Sequence, residues 1–307
     1  MNGSAPNPPV VLFDYVVSKT ASKIRSYLAA TSIPYTRVEL PISIPREVLI
    51  SVGITHRRVP ILAIGKDVYC DSAHILDALQ ASYPEHALPT SRADEAYKAW
   101  GMLTSQGAVP LTPIGTFPKD IQDDRKKLFP MLGRKDYQAL TPSTIAECKA
   151  ALDVLEKDFL PDDQPFIGGD KLSMADAHVE WAARWPIEYL DHVRAPGFRK
   201  TDYPRISAWL DKFPEPKPTS NVVSGEEAIA AITCAECISA DYGFDDNDPL
   251  QLYKGALVSV ESKDDFTGEN LQVGRLEGLS RIEVVIELES GIRMHFPRVG
   301  YVVKQFE

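Results

Sequence analysis

The order of apolar segments in the first 83 residues constrains the fold most. Residues 10–17, VVLFDYVV, form the short continuous apolar run of a buried strand. TASKIRSYLAA (20–30) follows, with Ala21, Ile24 and Leu28 at helical spacing, and Pro34 breaks that helix. YTRVEL (35–40) is a second strand and VPILAI (59–64) a third. Gly65-Lys66-Asp67 is a hairpin turn into VYC (68–70). SAHILDALQASY (72–83) closes the segment as a helix, with Ile75, Leu76 and Leu79 on one face. The order is strand, helix, strand, loop, strand, strand, helix.

That order is the thioredoxin-like arrangement. From about residue 89 to 218 no convincing strand occurs, and segments 92–107, 143–160, 173–190 and 203–213 carry helical periodicity. Residues 108–142 are rich in Pro, Gly and charge and read as an irregular connection or a short helix. Residues 212–218, KFPEPKP, form a stiff proline-rich linker. GEEAIAAITCAEC (225–237) reads as a helix and DYGFDDNDPL (241–250) as an acidic loop. Five β-rich runs follow: LVSVES, VGRLEGL, IEVVIELE, IRMHFP and YVVKQF, two of them joined tightly at Ser290-Gly291. Five short strands so closely spaced suggest a small SH3-like barrel. The expected domains are therefore 1–88, α/β; 89–218, all-helical; and 219–307, a helix plus a small β-barrel.

A chain of 307 residues, 44% hydrophobic and 25% charged, is ample for two or three domains with real cores. Its net charge of −10 is unevenly placed: residues 219–307 carry seven Lys/Arg against sixteen Asp/Glu, residues 1–88 eight against seven. That acidic segment argues against nucleic acid or anionic lipid as a partner. No apolar stretch of about 18 residues occurs, so no membrane span is expected. The polar, proline-rich start, Met1 to Pro9, lacks a signal pattern, and a cytoplasmic address is expected. Cys70, Cys148, Cys234 and Cys237 are too scattered for a disulfide scaffold. Cys234 and Cys237 form a C-x-x-C, but no second Cys/His pair completes a metal site, and none is expected.

Four elements in order across residues 1–218 resemble the glutathione transferases. VVLFDYVVSKTASKIRSYLAATSIPY (10–35) is similar to their first strand–helix–strand start. Arg58-Val59-Pro60-Ile61-Leu62 resembles their basic residue, apolar residue and cis-proline. Asp71-Ser72-Ala73-His74-Ile75 resembles their acidic-Ser-x-x-Ile element, and FIGGDKLSMADAHVEW (166–181) their helical-domain signature. The spacing of Ser18, Val59 and Asp71 resembles the serine-type classes. The β segment lies outside the common plan and is similar to extended fungal members. The resemblance implies a thioredoxin-like glutathione-binding domain, an all-α transferase domain and a homodimer. It also implies glutathione as cofactor and a small apolar electrophile as substrate.

The same resemblance assigns roles. Ser72, at a helix start whose dipole attracts anions, takes the γ-glutamyl carboxylate, and Asp71 takes the amine; an ordinary N-cap pair is the alternative. Val59, before Pro60, pairs its backbone with the cysteinyl unit like an added strand if that peptide is cis. Arg58 pairs with the glycyl carboxylate, with His56 and Arg57 as alternatives. Ser18 donates to the sulfur and favours thiolate over thiol. Tyr15 is the alternative catalyst, and helix capping is the alternative role for Ser18. Lys19-Thr20 departs from the proline and aromatic often found there. Ser18 is not cysteine, so reduction of mixed disulfides is poorly served. The electrophile pocket is expected between the two domains, lined by Tyr97, Trp100 and Met102. Ser173 and Asp176 read as a helix-capping pair, and Trp181 and Trp185 as core. Alternation puts His295 and Arg293 on one strand face, opposite Met294 and Phe296, so His295 reads as a surface or pairing residue. Residues 219–307 then read as a module whose removal near Pro218 spares glutathione binding. The expected function is conjugation of glutathione to an electrophile. The alternatives are a glutathione-dependent isomerase or lyase, and a non-catalytic binding protein.

Overall fold

The computed structural model describes residues 8–107, 117–190, 197–215, 221–263 and 268–307. The chain divides into two compact units. One holds residues 1–21, 34–78 and 218–307, the other residues 22–33 and 79–217.

The first unit is built on one nine-stranded sheet. β1 (Val10–Asp14) lies between β2 (Thr36–Glu39), which is parallel to it, and β3 (Ile61–Ile64), which is antiparallel. β3 turns through Gly65-Lys66 into β4 (Asp67–Cys70), as the sequence leads one to expect. Gly65 has a φ of +61°, and a Cβ there would collide with the Glu236 carbonyl. The turn therefore requires glycine. β1, β3 and β4 are buried along their length, which is why their sequences are unbroken rather than alternating. Helices α1 (Lys19–Thr31), α2 (Glu47–Ile50) and α3 (Ser72–Ser82) begin in this unit.

The sheet does not stop at β4. β8 (Arg293–Pro297) pairs with it in parallel, Asp67 to Arg293, Val68 to Met294 and Tyr69 to His295. β7 (Glu283–Glu287), β6 (Gln272–Leu279), β5 (Leu257–Ser262) and β9 (Tyr301–Gln305) follow in antiparallel order. An unpaired β4 would leave a row of open backbone groups, and β8 closes that edge. One core serves both halves: Val11, Phe13, Ile61 and Val68 cluster with Val258, Ile286, Met294 and Phe296.

The five late strands fall where the sequence places them, but they extend the first sheet. Among the described residues no ladder joins β8 to β9, and the expected SH3-like barrel is not shown as a closed one. Compactness also groups residues 218–307 with residues 34–78, where the sequence suggested a boundary.

The second unit is helical. It contains α4 (Asp94–Gly107), α5 (Lys119–Leu128), α6 (Thr141–Val154), α7 (Met174–Trp185) and α8 (Pro204–Leu210). α5 settles the 108–142 stretch in favour of a short helix, although residues 108–116 lie outside the described residues. Leu152, Leu155, Val179, Phe198, Ile206 and Trp209 make the core. Gly101 lets α4 approach α7, because a Cβ there would meet the His178 carbonyl. No helix among the described residues is long and apolar enough to cross a membrane. In the first unit, α9 (Gly225–Cys234) precedes β5 and is capped by Ser224, whose hydroxyl accepts the Glu227 N–H at 3.1 Å.

Candidate functional site

Three chain segments meet at one end of the sheet. The register pairs Phe13 with Ile61, and Ile61 with Cys70. The chain leaving β1 toward Ser18, Val59-Pro60 entering β3, and Asp71-Ser72 leaving β4 therefore lie side by side. At about 4.8 Å between neighbouring strands, β1 to β4 spans about 10 Å. Three extended residues cover about the same length.

Ser18 caps α1. Its N–H donates to the Tyr15 carbonyl at 3.0 Å, and its Oγ accepts the Ala21 N–H at 3.2 Å. The same Oγ lies 3.3 Å from Thr20 Oγ1, which donates to the Val59 carbonyl at 3.1 Å. A carbonyl only accepts, so the single Thr20 hydroxyl proton goes to Val59 and the Ser18 proton points at Thr20. A relay therefore runs from Ser18 through Thr20 to Val59. Thr20, noted in the sequence only as a departure, ties the start of α1 to the loop before Pro60. The Val59-Pro60 peptide is cis.

Asp71 sits at the β4–α3 junction with a φ of +70°, a strained conformation for a residue with a Cβ. Its carboxylate accepts the Ala73 N–H at 2.9 Å, and its carbonyl accepts the Ile75 N–H at 2.9 Å. Asp71 is thus the N-cap of α3, and Ser72 is the first helical residue. Among the described residues the Ser72 hydroxyl has no protein partner.

The loop that carries Arg58 is braced by Arg46. The buried Arg46 guanidinium donates to the carbonyls of Arg57, Pro41 and Ile42 and lies 5.9 Å from the centre of the Tyr15 ring. Sequence reasoning missed Arg46, because a lone arginine twelve positions before Arg58 carries no motif. Arg58 and Val59 are half-buried, and Pro60 and Arg57 are buried. His56 offers no charge to a carboxylate. It packs against Phe296 and Tyr301, with ring centroids 5.8 and 6.0 Å away. Burial, together with the Arg58 and Arg46 charges, pushes its imidazole down to about 3.

The remaining candidates sort by packing. Tyr97 and Trp100, in the helical unit, meet Phe159 edge-on at 4.9 and 5.6 Å, and Met102 is exposed. Ser173 and Asp176 form the expected capping box. Asp176 also accepts the N–H groups of Ile167 and Gly168 and the Trp209 Nε1–H. Trp181 is buried and Trp185 packs on the helical core. α9 ends at Cys234 rather than at 237. Both thiols of the C-x-x-C are free, and burial, with the Asp67 charge, pushes Cys237 up.

His295 is a pairing residue, but not a surface one. It is 1% exposed, because β8 is covered on both faces and alternation no longer separates inside from outside. Its Nε2 lies 2.8 Å from the Asp67 carboxylate and its Nδ1 3.1 Å from Glu283, and its ring stacks on Tyr69 at 4.3 Å.

Residues 12–87 match a family model described as "Glutathione S-transferase, N-terminal domain". Residues 108–220 match one described as "Domain of unknown function (DUF7962)". Among solved structures, the chain is similar to a GST-like protein from Pseudomonas syringae. The TM-score is 0.67 at 21% identity, over 97% of this chain and 100% of that one. It is also similar, at a TM-score of 0.48 and 18% identity, to a glutathione S-transferase from Methylobacillus flagellatus with glutathione bound; 66% of this chain and 93% of that one are covered. A glutathione transferase family member from Pseudomonas fluorescens with two glutathione bound gives 0.48 and 19%, over 69% and 90%. No curated protein matches. The likeness to the Pseudomonas syringae protein shows the fold, and its coverage takes in the late β segment.

Proposed function

We propose that this chain, with its glutathione transferase-like fold, binds glutathione across the ends of β1, β3 and β4 and holds its sulfur as thiolate beside Ser18. The relay from Ser18 through Thr20 to Val59 carries this reading. It poises a hydroxyl proton at the N-terminus of α1, next to the backbone that would receive the cysteinyl unit. An arriving thiolate is a stronger acceptor than the Thr20 hydroxyl, so the Ser18 proton turns to sulfur. The helix dipole acts in the same direction. The Ser72 hydroxyl receives the γ-glutamyl carboxylate, Asp71 the amine, and Arg58 the glycyl carboxylate. The thiolate then attacks a small apolar electrophile, forming a carbon–sulfur bond and expelling a leaving group or taking up a proton at the adjacent carbon.

The test uses the full chain, with calorimetry for glutathione affinity and ultraviolet absorbance for the bound thiolate. Ser72→Ala is expected to weaken binding roughly 10- to 100-fold, the loss of a hydrogen bond to a charged group. Ser18→Ala should raise the pH midpoint of the thiolate with little change in affinity. If Tyr15→Phe has that signature and Ser18→Ala is silent, the tyrosine is the catalyst. Mass balance with a turned-over electrophile separates transfer, which consumes glutathione, from isomerisation, which returns it. Binding without any turnover would make the chain a binding protein.

A further inference from the structure

The seam between β4 and β8 buries a polar cluster that the glutathione reading does not use. Four segments contribute to it: Asp67 on β4, His74 on α3, Glu283 on β7 and His295 on β8. His295 Nδ1 and His74 Nε2 each lie 3.1 Å from one Glu283 oxygen, Oε2. The ligating atoms of His74, Glu283 and His295 all lie within 4.8 Å of one another. The other His295 nitrogen, Nε2, lies 2.8 Å from Asp67 Oδ1. Asp67 is wholly buried and also accepts the Tyr242 hydroxyl at 2.5 Å and the Ile238 N–H at 2.6 Å.

We propose that His74 Nε2, His295 Nδ1 and a Glu283 oxygen bind a divalent transition ion of the zinc class. Two imidazoles and a carboxylate are a donor set zinc takes, with the fourth tetrahedral position left to water. Bonds of about 2.0–2.1 Å put tetrahedral ligand atoms about 3.4 Å apart. Two of the three separations here are already 3.1 Å. The His74 nitrogen is near Glu283 but is not aligned for a hydrogen bond with it. An ion between the three atoms accepts that lone pair.

The outer groups fit as well. A histidine ligand typically donates its second ring N–H to a carboxylate, which fixes the tautomer. Asp67 stands in that place for His295, and Tyr242 and Ile238 hold Asp67 in turn. Tyr69 stacks on the His295 ring at 4.3 Å and fixes its plane. Charge balances too: a divalent cation against Glu283 and Asp67, with both imidazoles neutral, sums to zero in a buried place. The side chains of His74 and Glu283 are 12% and 19% exposed, which leaves a way in. No spacing motif announces such a site, since Asp67 and His295 are 228 positions apart.

Metal-stripped full-length protein, titrated with Zn²⁺ by calorimetry and with Co²⁺ by visible absorption, tests this. The expected result is about one ion per chain with submicromolar affinity, and cobalt bands of tetrahedral intensity without a thiolate band. His74→Asn and Glu283→Gln should each weaken binding about 100-fold or more, and Asp67→Asn about 10- to 100-fold. His74 is partly exposed, so metal-free His74→Asn should melt close to the metal-free parent. Zinc should raise the melting temperature of the parent and not of this variant. Cys234→Ser with Cys237→Ser should leave binding intact. Failure of the folded parent to bind either ion would overturn the site. So would binding that survives His74→Asn, or a thiolate band that moves the ion to the cysteines.

Discussion

Thr20 shows what one hydroxyl can decide. Thr20→Val keeps the shape but removes the donor to Val59 and the resting acceptor of Ser18. It should lower stability by about 1 kcal/mol in denaturant unfolding and weaken glutathione binding several-fold by calorimetry. Asp176 is the helical counterpart. Its carboxylate holds Ile167, Gly168, Ser173 and Trp209 from a fully buried position. Asp176→Ala leaves those donors orphaned, and unfolding should become easier by about 3 kcal/mol or more. The two residues differ in how far they could be read in advance. Asp176 and Ser173 are three apart, a capping spacing visible in any sequence. The partner of Thr20 is a carbonyl 39 residues away, which no local pattern encodes. His295 misled for a related reason: strand alternation assumes one wet face, and β8 has none.

Elements were legible as elements. β5 begins and ends where the sequence places it, and the strands from β6 to β9 differ only at their ends. Their partners were not legible, because the parallel pairing of β4 with β8 arises from segments far apart in the chain. The pairing changes what a truncation should do. Sequence alone suggested that a chain ending near Pro218 would keep its glutathione site. With β8 gone, β4 becomes a bare edge, and the core loses Val258, Ile286, Met294 and Phe296. That truncation is now expected to aggregate or to lack cooperative unfolding, checked by gel filtration and thermal circular dichroism. A cooperatively folded, monodisperse truncation would contradict it. Within the full chain, Phe296→Ala should cost about 3–5 kcal/mol, since Phe296 is wholly buried.

At the scale of the molecule, each compact unit holds its own buried neutral histidine. His56 in the sheet unit is pushed down to about 3, by burial first and then by Arg58 and Arg46. His178 in the helical unit is pushed down to about 2, by burial first and then by Lys23 and Lys98. Both titrate near 6.5 once unfolded, so the unfolded chain binds more protons below that pH. The stability they permit is whole above about pH 6.5 and drains away as pH falls toward the folded values. Denaturant midpoints should therefore fall between pH 7.5 and pH 4, and His56→Gln should flatten the slope. An unchanged midpoint across that range would refute the assignment.

The join of β4 to β8 also fixes an order of events during synthesis. The helical unit has all of its chain by residue 217, whereas the sheet must wait for residues 293–297 to leave the ribosome. At about 5–20 residues per second, β4 waits roughly 10 to 45 s for its neighbour. Throughout that interval the nascent protein carries an open apolar strand edge, the kind of surface that chaperones hold.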